Sequence, residues 1–168
     1  MHFMYIELRD WSSGYSADFA RVANNINIAR YQRDLFPHPC SQVSAERYIR
    51  VCSDSDEICS KAIFADNSFV GFVGASRKDD VSQKSAELCY WLDEKYWGMG
   101  IMTGAVRLFT DYYFENHDVV RIYAITFSDN IGSCRVLEKA GYELEGVMKK
   151  SAYKLGEYHD CSIYAAVR

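Results

Sequence analysis

The stretch ELCYWLDEKYWGMGIMTGAVRLF, Glu87 to Phe109, decides how the rest of the chain is read. Its first residues alternate as a strand does. Two glycines then flank Met99, and from Met99 to His117 the apolar Ile101, Ala105, Leu108, Phe109 and Tyr112 recur at three- and four-residue spacing, which predicts an amphipathic helix. Between strand and helix, the N–H groups of the loop and first turn have no intrahelical partners, and the helix dipole adds partial positive charge. Gly98 and Gly100 remove side chains that would hold an anion away from those groups, and phosphate is the usual biological anion there. A plain strand-to-helix turn has the same spelling. A nucleoside-triphosphate loop is rejected, because Gly100 is followed by Ile101-Met102 and not by Lys and a hydroxyl residue. A dinucleotide fingerprint would need glycine where Thr103 stands and a strand that opens the domain; Asp129 could imitate its ribose-binding acid, so a dinucleotide binder stays an alternative.

Working outward, Tyr5–Leu8 reads as a first strand, Ser16–Asn25 and Asn27–Leu35 as helices, and Phe36-Pro37-His38-Pro39 stops the second. Ala45–Cys52 is a third short helix. The short apolar runs Lys61–Ala65 and Phe69–Ala75 flank Asp66-Asn67-Ser68, which is hairpin chemistry. Glu87–Leu92 makes a third neighbouring strand. Beyond the central helix, Arg121–Phe127 reads as a buried strand, Ser128-Asp129-Asn130 as the cap of a helix over Ile131–Ala140, and Gly141 as its left-handed stop. Tyr142–Tyr153 and Tyr158–Val167 close the chain as a hairpin around Lys154-Leu155-Gly156-Glu157. The order implies a mixed α/β fold in one unit, the default for 168 residues.

Composition narrows the function. A net charge of −4 with no concentrated basic run argues against nucleic acid. No apolar run approaches the ~20 residues of a membrane span. The start, MHFMYIELRDW, lacks a basic-then-apolar signal layout, so a cytoplasmic location is expected. Six cysteines without a C-x-x-C spacing read as reduced core residues, and no metal site is expected.

YWLDEKYWGMGIMTGAVRL, followed by DNIGSCRVLEKAGYELEGVMKKSAYKLGEYHDCSIYAA, resembles the GNAT superfamily of acetyl-CoA-dependent N-acetyltransferases, and within it the RimJ/RimL group of protein N-terminal acetyltransferases. The match is dense over 87–166 and looser over 24–39. The resemblance implies one N-acetyltransferase domain over 1–168, with a largely antiparallel sheet splayed between strands 87–92 and 121–127 and helices on both faces. It implies that acetyl-CoA lies in the split, its pyrophosphate on the loop from Lys95 to Ile101. The implied cofactor contacts are Tyr90, Leu92, Lys95, Trp97, Gly98, Met99, Gly100, Ile101, Thr103, Asn130 and Ser133. Lys95 stands where many members carry Gln or Arg.

The implied reaction is direct transfer to a primary amine, with a protein N-terminal α-amine favoured over small-molecule amines. It needs a neutral amine, an oxyanion donor and help for the leaving thiolate. Main-chain N–H groups at Cys89 to Leu92 suit the oxyanion, and Glu87 on the same strand is the candidate base, acting through water. Where many members carry a tyrosine acid this chain has Leu137, so the acid is assigned to Ser133, which matches the serine of the RimL group. A covalent route through Cys89 or Cys134 lacks a histidine partner. A non-catalytic acyl-CoA-binding module is the alternative from another class. A homodimer would be ordinary for the group.

Overall fold

In the computed structural model, which describes residues 4–168, seven strands form one sheet in the order β1-β2-β3-β4-β5-β7-β6. The strands are β1 (Ile6–Arg9), β2 (Ile58–Ala65), β3 (Ser68–Arg77), β4 (Ser85–Leu92), β5 (Arg121–Phe127), β6 (Glu143–Lys154) and β7 (Glu157–Val167). Every neighbouring pair is antiparallel except β4 and β5. A parallel pair needs a crossover, and α4 (Ile101–Asn116) supplies it.

The two hairpins follow their turn residues. Asp66 and Asn67 (φ 45° and 65°) join β2 to β3, and Leu155 and Gly156 (φ 51° and 86°) join β6 to β7.

The strand β3 is buried along nearly all its length because both faces of the sheet are covered. On one face α4 and α5 (Ile131–Lys139) bury Ile101, Ala105, Phe109 and Leu137 against Ile63, Val73, Leu88 and Ile122. On the other, α1 (Ser16–Ala23), α2 (Ile26–Ala29) and α3 (Gln42–Asp54) cover an aromatic core of Phe19, Phe36, Phe64, Phe69, Phe72 and Trp91. Residues of β4 alternate between these cores: Leu88 belongs to the first and Trp91 to the second.

The helix expected over Asn27–Leu35 is only four residues long, Ile26–Ala29. Beyond it the chain continues as separate turns, with the Tyr31 N–H donating to Ile28 O and the Gln32 N–H to Ala29 O, and these residues reach the sheet. Gln32 Nε2 donates to the carbonyl of Tyr90 at 3.3 Å, Arg33 pairs with Glu87, and the Tyr31 ring meets Phe127 at 6.1 Å. These long-range contacts outweigh a local preference worth only tenths of a kcal/mol per residue. At the C-terminus of α5 the reading holds closely: Gly141 takes φ 94°, its N–H donates to Glu138 O, and the Tyr142 N–H donates to Leu137 O.

Candidate active site

The strands β4 and β5 are paired at only three positions, Ser85 with Arg121, Ala86 with Ile122 and Glu87 with Tyr123. Beyond Glu87 they part, while β4 stays paired to β3 as far as Leu92 and β5 to β7 as far as Phe127. The gap belongs to a cavity of about 660 Å³, a volume ordinary for a small-molecule site.

Parting the strands frees backbone groups that must find other partners. The carbonyl of Tyr90 is met by Gln32 Nε2, and the carbonyl of Leu92 by Trp97 Nε1 at 2.9 Å. In a strand a residue's N–H lies along the same edge as its C=O, so the amides of Tyr90 and Leu92 face the gap as well.

On one side of the cavity stands the glycine loop. Gly98 and Gly100 have φ of 76° and 78°, a conformation costly for any residue with a β-carbon. Nothing lies within 4 Å of where a β-carbon would stand on either. The backbone is therefore open to approach. Gly100 is the N-cap of α4, whose first bond within the helix runs from Gly104 N–H to Gly100 O at 3.0 Å, leaving the amides of Ile101, Met102 and Thr103 without intrahelical acceptors. Arg135 and Lys139 on α5 line the same cavity, as do Trp97 and Thr103.

Asn130 is the N-cap of α5, with Oδ1 accepting from the Ser133 N–H at 3.2 Å. The Ser133 hydroxyl reaches the Tyr90 phenol at 2.8 Å, so a side chain of β4 and one of α5 meet. Lys95 and Met99 belong to the loop but do not line the cavity. Tyr90, Leu92, Trp97, Gly98, Gly100, Ile101, Thr103, Asn130 and Ser133 all do.

The opposite side is built from charges. Glu87, at the last paired position, receives Arg33 on Oε1 and Lys78 on Oε2, the latter at 3.0 Å, with the Tyr123 hydroxyl 3.5 Å from Oε2. Its side chain is 12% exposed, while that of Arg33 is 76% exposed. Burial alone would raise the carboxyl, but the Lys78 hydrogen bond and the Arg33 charge outweigh it and hold the group below its ordinary range. Across the gap, the Phe127 ring stacks on His159 at 4.8 Å, and His159 Nδ1 lies 3.4 Å from Asp129.

The sequence pattern of the acetyltransferase (GNAT) domain family matches residues 6–143. A probable N-acetyltransferase of Bacillus subtilis (strain 168), YjcK, is 37% identical over 155 residues, covering 84% of this chain and 85% of its own. The chain belongs to the GNAT acetyltransferase family. The ribosomal-protein-serine acetyltransferase of Escherichia coli (strain K12) is 30% identical over 105 residues, covering 62% of this chain and 58% of its own. Among solved structures, the RimL ribosomal L7/L12 α-N-protein acetyltransferase in complex with coenzyme A superposes with a TM-score of 0.84, at 24% identity over 96% of this chain and 93% of that one; this likeness shows the fold.

As a GNAT enzyme the protein is an N-acetyltransferase whose donor is acetyl-CoA. The residues present fit that donor. The open amides around Gly98 and Gly100 and the α4 N-terminus suit a diphosphate, and the parted strands suit an extended arm that makes strand-like hydrogen bonds. Cys89 is exposed to the cavity, and desolvation by the protein around that cavity pushes its thiol up to about 12. A thiol so poorly ionised at neutral pH is a weak nucleophile.

Residues of the site that escaped the sequence reading include Gln32, Arg33 and Lys78 around β4, Tyr31, and Arg135 and Lys139 on α5. No local signal marks them, since Gln32 and Arg33 stood in an expected helix and Arg33 is 54 positions from the carboxylate it pairs with. Among the described residues no cluster of His, Cys, Asp and Glu is placed to hold a metal ion.

Proposed function

We propose that this acetyltransferase acts on protein N-terminal α-amines by direct transfer, with Glu87 as base through water and Ser133 as hydroxyl donor to the departing sulfur. The observation that carries the reading is the opening of β4 and β5 just past Glu87, which brings that carboxylate, the amides of Tyr90 and Leu92, and Ser133 to one cavity. Acetyl-CoA, when bound, supplies a thioester whose carbonyl carbon accepts the amine lone pair and whose sulfur departs with the C–S electrons. The amides of Tyr90 and Leu92 meet the charge that develops on the carbonyl oxygen, a role worth ~3–4 kcal/mol where one such donor has been removed. Asn130 holds Ser133 in place, and Lys95 and Met99 act from the loop as outer contacts of the diphosphate rather than as walls of the arm's channel.

The charge cluster supports the choice of acceptor. Glu87 is made a weaker base by Arg33 and Lys78, and the three groups together carry one net positive charge, which disfavours an ammonium ion. An α-amine titrates near ~8 and a lysine near ~10.4, a difference of roughly 3.5 kcal/mol of deprotonation at neutral pH. The first suits this site better. The relatives named for acetylating a ribosomal-protein serine or the L7/L12 α-amine point the same way.

We place the protein in the cytoplasm beside such acceptors, as one catalytic domain able to pair as a homodimer; no helix among the described residues is long and apolar enough to cross a membrane. Thiol release measured over N-terminal peptides, peptides with only lysine amines, polyamines and amino sugars tests the acceptor. N-terminal peptides should show the highest kcat/KM. A higher value for lysine or polyamine overturns the reading, and donor uptake without thiol release from any acceptor means a binding module.

A further inference from the structure

The contact between Tyr90 and Ser133 joins β4 to the first turn of α5 at the wall of the cavity, where the sulfur departs. Tyr90 Oη lies 2.8 Å from Ser133 Oγ and 3.3 Å from the Ser133 carbonyl oxygen. Only the first is within the normal range for a bond between hydroxyls. A phenol has one proton to give, and so has a serine, so two arrangements are possible: serine donates to tyrosine, or tyrosine to serine. The phenol is the more acidic partner, titrating near ~10 in water, whereas an alkyl hydroxyl does not titrate in the protein range; it is therefore the better donor.

We propose that Tyr90 is a positioning residue whose phenol donates to Ser133 Oγ, leaving the serine's own proton free to meet the sulfur that departs. The proposal rests on the role given to Ser133 above. Ser133 is then held at both ends, its N–H by Asn130 Oδ1 and its Oγ by Tyr90. It is the third residue of the nine-residue α5, in a first turn whose dipole favours a nearby anion. The Tyr90 ring packs against the core under α4 and α5, which keeps the phenol from swinging away. Burial also raises the phenol's pKa, with the Ser133 bond opposing, so it stays protonated at working pH.

The bonds balance without either hydroxyl losing its proton. The C–N bond forms and the C–S bond breaks, its electron pair leaving on sulfur as a thiolate that bonds to Ser133 O–H. The proton shed by nitrogen passes to water at Glu87, and the thiolate later takes one from solvent. Thiols of ordinary acidity titrate near ~8.5, so departure as a thiolate is accessible at neutral pH once one hydrogen bond is in place.

The test is a cycle of Tyr90→Phe, Ser133→Ala and the double variant, read by acetyl transfer and by the ultraviolet thiolate absorbance of bound coenzyme A, with desulfo-coenzyme A as blank. Tyr90→Phe should lower kcat about tenfold at unchanged donor KM and raise the pH at which the bound thiol titrates by about one unit. The double variant should be no worse than Ser133→Ala alone. Equal losses from Tyr90→Phe with and without Ser133, or a bound thiol that titrates as in the parent protein, overturn the proposal. Should Tyr90→Phe not fold, 3-fluorotyrosine at position 90 replaces it: a change in kcat that vanishes with Ser133→Ala supports the proposal, and one that persists overturns it. A parent protein that releases no thiol at all would instead overturn the transfer reading.

Discussion

The two sides of the gap between β4 and β5 are made of different materials. The donor side is main chain: two glycines at positive φ, the first turn of α4, and the strand amides released where pairing stops. The acceptor side is side chain: Arg33 and Lys78 closing on Glu87, with Gln32 and Tyr31 brought over the sheet from the segment after α2. A ligand common to a whole family is best met by backbone geometry, which tolerates sequence change. A ligand particular to one member is best met by side chains, which one substitution can alter.

Damage to the donor side should be largest. Replacing Gly98 and Gly100 together by valine removes the left-handed loop and its charge-assisted amide bonds, which are worth roughly 4 kcal/mol in all, or about 10³-fold in coenzyme A affinity. Calorimetry checks this, and affinity within fivefold of the parent would erase the contrast between the two sides. Next is Glu87→Gln. It should cost about 10²-fold in kcat, the usual size of a general-base effect, with donor affinity unchanged. It also leaves Arg33 and Lys78 facing one another; because Arg33 is largely exposed, the loss of stability is about 1 kcal/mol and not the several expected of a fully buried pair.

Its pH dependence sharpens the comparison. The folded pKa of Glu87 lies below its unfolded value, so its contribution is complete above roughly pH 4.3 and disappears as pH falls through the lower folded value. Acid unfolding below that point should therefore narrow in Glu87→Gln. At neutral pH the carboxylate is always ionised, so the rising limb of kcat/KM belongs to the acceptor amine and should survive the substitution, centred near ~8 for an α-amine. A limb that vanishes with Glu87 would assign it to the protein instead.

Smaller still is Arg33→Ala, which leaves Glu87 and Lys78 with no net charge and should lower the KM of lysine peptides relative to α-amine peptides by about tenfold while leaving the donor KM alone. Equal changes in acceptor and donor KM would mean that the two sides are not separable. Smallest is Cys89→Ala. With its thiol pushed up to about 12, Cys89 has no nucleophilic part to play, and transfer should stay within about twofold. Loss of an acetylated enzyme intermediate, trapped by acid quench, would reverse that reading.

Glu87–Phe109 carried the donor side by itself. A strand, two glycines and a helical period are local features, each set by residues within a few positions, and the loop and α4 lie within two residues of where those features put them. The caps of α5 were equally legible, because Asn130 and Gly141 act on backbone groups of their own helix. The segment after Ala29 was not. Its spacing predicted a continuing helix, and only the folded sheet, by offering Glu87, Tyr90 and Phe127 as partners, made a path of successive turns the better one. Even the extent of the gap is tertiary: nothing in Glu87–Leu92 or Arg121–Phe127 alone tells that pairing stops after three positions, since each strand keeps its ladder on the other edge. Short-range geometry is written in neighbouring residues; a carboxylate held between two cations, one of them 54 positions away, exists only when the chain is folded.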